Sequence, residues 1–408
     1  MRKLAVPLVG AFASGMAPGL VAAALAFLPV GDAAKSVFVS SSMCGMIAAS
    51  ISGGFLADSL GRVRAMRLAG WIALLATPFL CVPLSIFAIA FVGRFAQGFG
   101  LGLFSVLLPL YIAETQPDDQ RGRAIAFYQF SNSLGGIVAA FCGLVVASWG
   151  QAPTAAWGLS PSAVWRVDIL MIIPILTAFV IGSFFVSEGS VPRNLGTVPK
   201  DVGTVPMGRL VLAIVVLALT SATGIGSVMH YSVTMMTEAG LSGVRANAAD
   251  TVMRVCGLAA ALLSAAFIDR RGRGFVLKIG TVGAMCALSA VSAMFFAFEM
   301  GTVPKSGAFG ATIAVFLCLF VAFFSFGPGV CVWVIAAELL PASVRAKGMS
   351  VALLGNQAVT AAIAAVFLPV ASCFGYAPLF FVFALAAAAY FAVARLRLYA
   401  GDSNSGAP

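Results

Sequence analysis

Charge is what this sequence has least of. Of its 408 residues, 9% are Asp, Glu, Lys or Arg and 61% are hydrophobic, whereas a soluble domain carries about 25% charged residues. That scarcity excludes a large water-soluble protein and predicts an all-α polytopic membrane protein. Histidine occurs once, as His230. The eight cysteines are scattered through apolar stretches, and none forms a CxxC or other ligand spacing. They read as small apolar packing residues, which argues against a disulfide framework and against a metal site. No nucleophile–base set and no phosphate-binding loop occurs, so the chain does not read as an enzyme, and no cofactor is expected. A net charge of +10 in a soluble protein would suggest nucleic acid. Here the cations have a simpler use, and no nucleic-acid partner is expected.

What the chain does have is apolar runs of spanning length, about 20 residues each. Breaking it at charged and Pro/Gly-rich points predicts twelve spans: 4–29, 36–56, 66–83, 85–112, 124–148, 164–187, 209–233, 247–268, 277–298, 307–337, 349–372 and 379–399. The third and fourth almost fuse at Pro83. The opening "MRKLAVPLVGAFASG" imitates a signal peptide, but its apolar run continues to about Pro29 and reads as an uncleaved first span. Solid runs, with no alternation, exclude a β-barrel.

The cations sort by side. Of the 24 Lys and Arg, only Lys35, Arg166, Arg245 and Lys305 fall on one side of the predicted spans, and Arg94 and Arg254 fall inside them. All the others fall on the opposite side, which is therefore cytoplasmic and holds both termini.

Two charged signatures occur twice. "GGFLADSLGRVR" follows the second span and "AAFIDRRGRG" the eighth; each has an Asp, two residues, then Gly-Arg, as Asp58, Gly61, Arg62 and Asp269, Gly272, Arg273. "AETQPDDQRGRA" follows the fourth span and "AELLPASVRAKG" the tenth, aligning Glu114, Pro117, Arg121, Arg123 with Glu338, Pro341, Arg345, Lys347. The chain is thus a parallel duplication of a six-helix unit, and such repeats place a substrate site between the halves near the bilayer midplane. The expected organisation is a six-helix bundle over 1–187, a short cytoplasmic linker at 188–208, a second six-helix bundle over 209–399 and a cytoplasmic tail at 400–408. Gly61 and Gly272 permit tight turns, and Asp58 and Asp269 can face helix N-termini. Glu114 and Glu338 end one helix where Arg121 and Arg345 begin the next. Ion pairs among them contribute differently in two conformations, as a gate requires.

Three intramembrane residues stand out. Arg94 lies about nine residues into its helix, roughly 14 Å deep and close to the midplane, where a charge costs at least ~2.5 kcal/mol without a partner. Arg254 follows Asp250 by four residues, so it either forms an i, i+4 ion pair or attracts an anion in a cavity. His230 is either a packed, hydrogen-bonded histidine or a cavity-lining contact.

These residues resemble the major facilitator superfamily and, within it, the sugar porter family. "GGFLADSLGR" is similar to the superfamily's loop motif. "GRFAQGFGLGLFSVLLPLYIAETQPDDQRGRAIAFYQ" (93–129), "WR" at 165–166 and "GPGVCVWVIAAELLPASVRAKG" (327–348) resemble sugar-porter helices and loops. The resemblance implies the two-bundle major facilitator fold and a cytoplasmic salt-bridge network of Asp58, Arg62, Glu114, Arg121, Asp269, Arg273, Glu338 and Arg345. It implies solute contacts at Gln129, Trp333 and Asn356. In the seventh helix, Thr220, Ser221 and Gly226 replace the family's amides, Gly257 replaces an eighth-helix Asn, and Thr360 replaces the second Asn of the eleventh. Thr220 and Ser221 are expected to contribute more weakly, in a pocket less polar than a hexose site.

The expected function is alternating-access transport of a small polar solute, with a sugar or polyol leading and a small organic anion as the alternative. Arg94 and Arg254 would serve that anion. A non-transporting nutrient sensor is the remote alternative, because sensors append long soluble tails and only "LYAGDSNSGAP" follows Arg397. Proton-coupled sugar porters carry a first-helix acid opposite the fourth-helix Arg. Here Ala13 and Ser14 sit near that place, so a facilitator is expected, with His230 as the spare titratable group. The partners are the solute and the lipid bilayer, the working unit is a monomer, and the expected location is the cell membrane.

Overall fold

The computed structural model describes residues 2–82, 87–149, 164–186, 207–340 and 345–402. Within them, 12 stretches are helical, long and apolar enough to cross a bilayer. Hydrocarbon offers no partner to backbone N–H and C=O groups, so each apolar run closes its own hydrogen bonds by coiling. The first five spans are α1 (Arg2–Leu25), α2 (Asp32–Leu60), α3 (Arg62–Ala76), α4 (Phe87–Thr115) and α5 (Asp118–Trp149), with a 3-10 turn at Thr77–Cys81 completing the third. The near-fusion at Pro83 falls outside the described residues. The sixth span is split into α6 (Val164–Leu170) and α7 (Ile173–Phe184), and the seventh into α8 (Met207–Ala222) and α9 (Ile225–Glu238). Then come α10 (Gly243–Arg271), α11 (Arg273–Glu299), a tenth span split into α12 (Gly307–Phe326) and α13 (Pro328–Leu339), α14 (Arg345–Phe374) and α15 (Ala377–Asp402). Pro174 and Pro328 occupy the first turns of α7 and α13. Proline fits there because its missing N–H would have no intrahelical partner.

The duplication is visible in the packing. Spans one and five, one and four, three and four, and three and six pack together; so do their equivalents seven and eleven, seven and ten, nine and ten, and nine and twelve. In the first half, Gly15 on α1 and Gly135 on α5 bring two backbones into contact: an added Cβ would overlap the carbonyl oxygens of Asn132 and Phe12 respectively. Small residues at such crossings allow the close van der Waals fit that holds helices together where lipid removes the hydrophobic drive. Outward, Ile51, Phe55, Val92, Phe185 and Phe374 are exposed, as suits side chains that meet lipid.

The chain divides into two compact units. Unit 1 comprises Met1–Val198 with Met229–Thr234 and Gly243–Thr251; unit 2 comprises Pro199–Val228, Met235–Ser242 and Val252–Pro408. Unit 1 has a core in which Met16, Leu20, Phe104, Leu108, Tyr111 and Phe179 are fully or almost fully buried. In unit 2 one such cluster gathers Val216, Leu217, Val276, Cys331 and Tyr390. The predicted linker is outside the described residues over 188–206.

The repeated Gly-Arg turns adopt one conformation. Gly61 has φ 86 and ψ 157, and Gly272 has φ 80 and ψ 162, a region open in practice to glycine alone. The helices on either side of each turn therefore reverse in a single residue. Gly61→Ala is expected to cost about 1 kcal/mol or somewhat more, read as a lower midpoint in thermal unfolding. Gly54→Ala, where an added Cβ meets nothing within 4 Å, is the control and should not lower it.

Candidate functional site

The polar residues of unit 2 collect where the seventh span breaks. Gly224 (φ 78, left-handed) ends α8's course, and a Cβ there would overlap the Phe383 ring. Only glycine fits, so the break is built in. Just before it, Thr220 and Ser221 are buried, with 7% and 8% exposure. Ser221 Oγ donates to Asn356 Oδ1. Thr360 Oγ1 lies 3.0 Å from Ser221 Oγ and 2.9 Å from the Asn356 carbonyl. Thr220 Oγ1 turns back to the Val216 carbonyl at 2.9 Å, so its hydroxyl proton is used within α8. Asn356 is half-buried. The cluster is uncharged and presents hydroxyl and amide groups beside an interrupted helix, the usual setting of a transporter's binding residues. Trp333, on α13, is 42% exposed, and Arg254 is buried and partnered.

In unit 1, Gln129 is exposed on α5. Arg94 is 1% exposed and its partner is neutral: Nη1 donates to Gln97 Oε1 at 2.5 Å. Gln97 Nε2 donates to Thr77 Oγ1 at 2.9 Å, and Thr77 donates to the Ala73 carbonyl at 2.8 Å. The guanidinium carbon also lies 5.8 Å from the Phe38 ring centroid, which adds a modest cation–π attraction. His230, in the Met229–Thr234 segment, is half-buried and partnered.

The charged turn of unit 1 converges on Arg62. Its Nη1 is 2.6 Å from Asp58 Oδ1, its Nη2 is 3.0 Å from Glu114 Oε1, and its Nε is 3.1 Å from Glu114 Oε2. One guanidinium fork thus ties the α2–α3 turn to the end of α4, in the bidentate geometry that suits Arg and carboxylate. Arg121 and Arg273 are exposed. The side chains of Asp269, Glu338 and Arg345 lie outside the described residues.

Two further sets were not singled out from sequence. Gln97 satisfies Arg94 from one turn away, and its i, i+3 spacing was the available signal. Asp168 and Asn247 are both buried; nothing in their local spacing links them. Asp250, considered only as a partner for Arg254, accepts a hydrogen bond from Ser232 Oγ at 2.6 Å.

Twelve apolar spans in a repeated six-span pattern, with a paired-charge turn and a polar cluster beside a broken helix, define a polytopic membrane transporter of the major facilitator fold. The likeness to solved structures agrees: the D-xylose-proton symporter superposes with a TM-score of 0.80 at 19% identity, covering 96% of each chain. An inward-open xylose transporter from E. coli gives 0.79 at 19% identity, over 95% of this chain and 94% of that one. Residues 22–191 and 199–400 match the family model "Sugar (and other) transporter", and the chain belongs to that family. Among curated relatives, the sugar transporter ERD6-like 6 of Arabidopsis thaliana is 27% identical over 79% of this chain and 70% of its own length. The probable polyol transporter 4 of the same plant is 28% identical over 88% and 74%. The protein is a transporter, not an enzyme.

Proposed function

We propose that this protein moves a small neutral polyhydroxylated solute, a sugar or polyol, across its membrane by alternating access, as a facilitator. The observation that carries this reading is the uncharged Ser221–Asn356–Thr360 cluster at the break of the seventh span. Hydroxyl and amide groups donate and accept, which matches a solute made of hydroxyls. By the family resemblance, Gln129, Trp333, Thr220 and His230 are further candidate solute contacts, each to be tested by substitution. The sugar and polyol relatives support the same class. A carboxylate solute would need an available cation, and both intramembrane arginines are buried and engaged, Arg94 with Gln97 and Arg254 with a partner of its own. The α1 helix carries no acid, and among the described residues Arg94 is met by the neutral Gln97, which supports a facilitator over a proton-coupled cycle.

The two bundles, 1–187 and 209–399, joined by 188–208 and ending in the tail 400–408, would alternate with both termini cytoplasmic, in the cell membrane, and as a monomer. Uptake of labelled D-glucose, D-xylose, myo-inositol and succinate into proteoliposomes tests the solute class. Equilibration of a sugar or polyol, unchanged by protonophore, is expected. Uptake of succinate alone would overturn the reading.

The charged turns would act as the gate. Glu114→Gln keeps the shape and removes the charge that Arg62 grips. Both partners are partly solvated, so the effect is about 1 kcal/mol, or roughly a fivefold shift between conformations. Slower transport with unchanged folding is expected, and by the repeat Glu338→Ala and Arg345→Ala should do the same. Unchanged transport in all three variants would reduce these charges to orientation signals.

A further inference from the structure

The sixth span carries an acid that transport of a neutral solute does not use. Asp168, in α6, is 2% exposed, and its Oδ1 has no hydrogen-bond partner among the described residues. Asn247, near the start of α10, is 1% exposed and in the same position. Its Nδ2 donates to the Gly243 carbonyl at 2.8 Å, which identifies the amide's other end as oxygen, and that Oδ1 also has no partner. Both residues reach one spot on α5: a Cβ on Gly143 would stand 2.9 Å from Asn247 Oδ1 and 3.6 Å from Asp168 Oδ2. Two helices therefore bring acceptor oxygens to the same glycine.

A buried acceptor left without a donor costs about 1–3 kcal/mol, and a buried unpaired carboxylate costs far more. One hydrogen atom removes both deficits. A protonated Asp168 has an O–H to donate, and Asn247 Oδ1 has lone pairs to receive it.

We propose that Asp168 and Asn247 form a proton-binding site, in which the neutral acid donates to the Asn247 amide oxygen and fastens the start of α10 to α6. The neighbouring charged and titratable groups leave this role to Asp168. On α6, Arg166 directs its Nε to the Cys81 carbonyl at 3.0 Å, and the Cys81 thiol faces the Arg166 carbonyl at 3.8 Å. On α5 the neighbour is Cys142, which lies within electrostatic reach of Asp168. The α1 helix has no titratable side chain after Lys3. On α10, Arg245 is exposed and Asp250 is engaged by Ser232.

The position gives the proton leverage. Gly243–Thr251 packs with unit 1, and from Val252 onward α10 belongs to unit 2. The Asp168–Asn247 bond therefore grips α10 just before it passes from one unit to the other. When the proton leaves to water, a carboxylate faces an amide oxygen, attraction becomes repulsion, and the grip on α10 is lost.

The site stands apart from the choice of solute, and its test needs no solute. Infrared spectroscopy of the purified full chain in detergent reads the C=O stretch of a protonated carboxyl directly. A band present at neutral pH should vanish in Asp168→Asn and move to higher frequency in Asn247→Leu, which removes the acceptor. Thermal unfolding gives the second readout. A proton held by the folded chain and released on unfolding makes stability fall as pH rises, and Asp168→Asn should flatten that fall. A band unchanged in Asp168→Asn would overturn the proposal. So would a wild-type midpoint raised by replacing choline with sodium together with loss of the band, because a metal cation would then fill the gap. Should Asp168→Asn not fold, the Asn247→Leu band decides, and an unshifted band counts against the site.

Discussion

Gln97→Leu is expected to destabilise the protein by about 1.5–3 kcal/mol, the usual worth of a hydrogen bond to a charged group. Arg94 is almost wholly buried, and Gln97 Oε1 is the acceptor that meets its Nη1 at 2.5 Å. Leucine fills similar space and accepts nothing, so a buried guanidinium loses this acceptor, and Thr77 loses the amide that bonds its hydroxyl. The measurement is the unfolding midpoint in detergent. Pairing the change with Arg94→Leu separates the causes. If the lost acceptor matters, the double variant recovers stability, because removing both partners of a buried pair is less damaging than removing one. A neutral Gln97→Leu would mean that Arg94 is satisfied by other groups. Arg94→Gln adds a functional check: binding lost only for carboxylated compounds would favour the anion alternative.

The spans were legible because lipid leaves the backbone no other solution. An apolar run of spanning length must coil, and the side on which cations collect numbers the runs. The repeat was legible from Asp58-x-x-Gly61-Arg62 and Asp269-x-x-Gly272-Arg273, and the matched backbone angles of Gly61 and Gly272 show why glycine stands in both. The helix breaks were less legible. Pro174 and Pro328 mark two of them, but Gly224 looks like any small residue in a span until the Phe383 ring is placed against it. Arg94 stands out in the sequence as a charge inside a span, and the structure shows it buried, but its partner is not legible there. That partner is a neutral Gln one turn away, and nothing in its residue type announces an ion's partner. Asp168 was harder still. It sits in "WRVDIL" beside Arg166, where a charge at the head of a span reads as a flank. Its significance depends on Asn247, far along the chain, and only folding brings them to one glycine.

Asn356→Leu is expected to weaken solute binding about fivefold to over a hundredfold, the equivalent of about 1–3 kcal/mol. The argument runs through three side chains. Asn356 Oδ1 accepts the Ser221 hydroxyl, and Ser221 Oγ lies 3.0 Å from Thr360 Oγ1. Leucine removes the amide that a hydroxylated solute would use and leaves the Ser221 proton, in a site only 8% exposed, without its acceptor. Ser221 then turns to backbone or to Thr360, and the cluster no longer presents the same face. Ser221→Ala removes only the inner bond, so it should weaken binding less than Asn356→Leu does. Gln129→Ala, in the other unit, should weaken binding within the same range if it is a direct contact. Equilibrium binding of whichever sugar or polyol the uptake panel identifies gives the measurement, with the unfolding midpoint as control. A loss of binding with an unchanged midpoint places Asn356 at the solute. A lowered midpoint with unchanged binding by the folded fraction would make the cluster a structural clasp between α8 and α14, and the binding site would then have to be sought at Gln129 and Trp333.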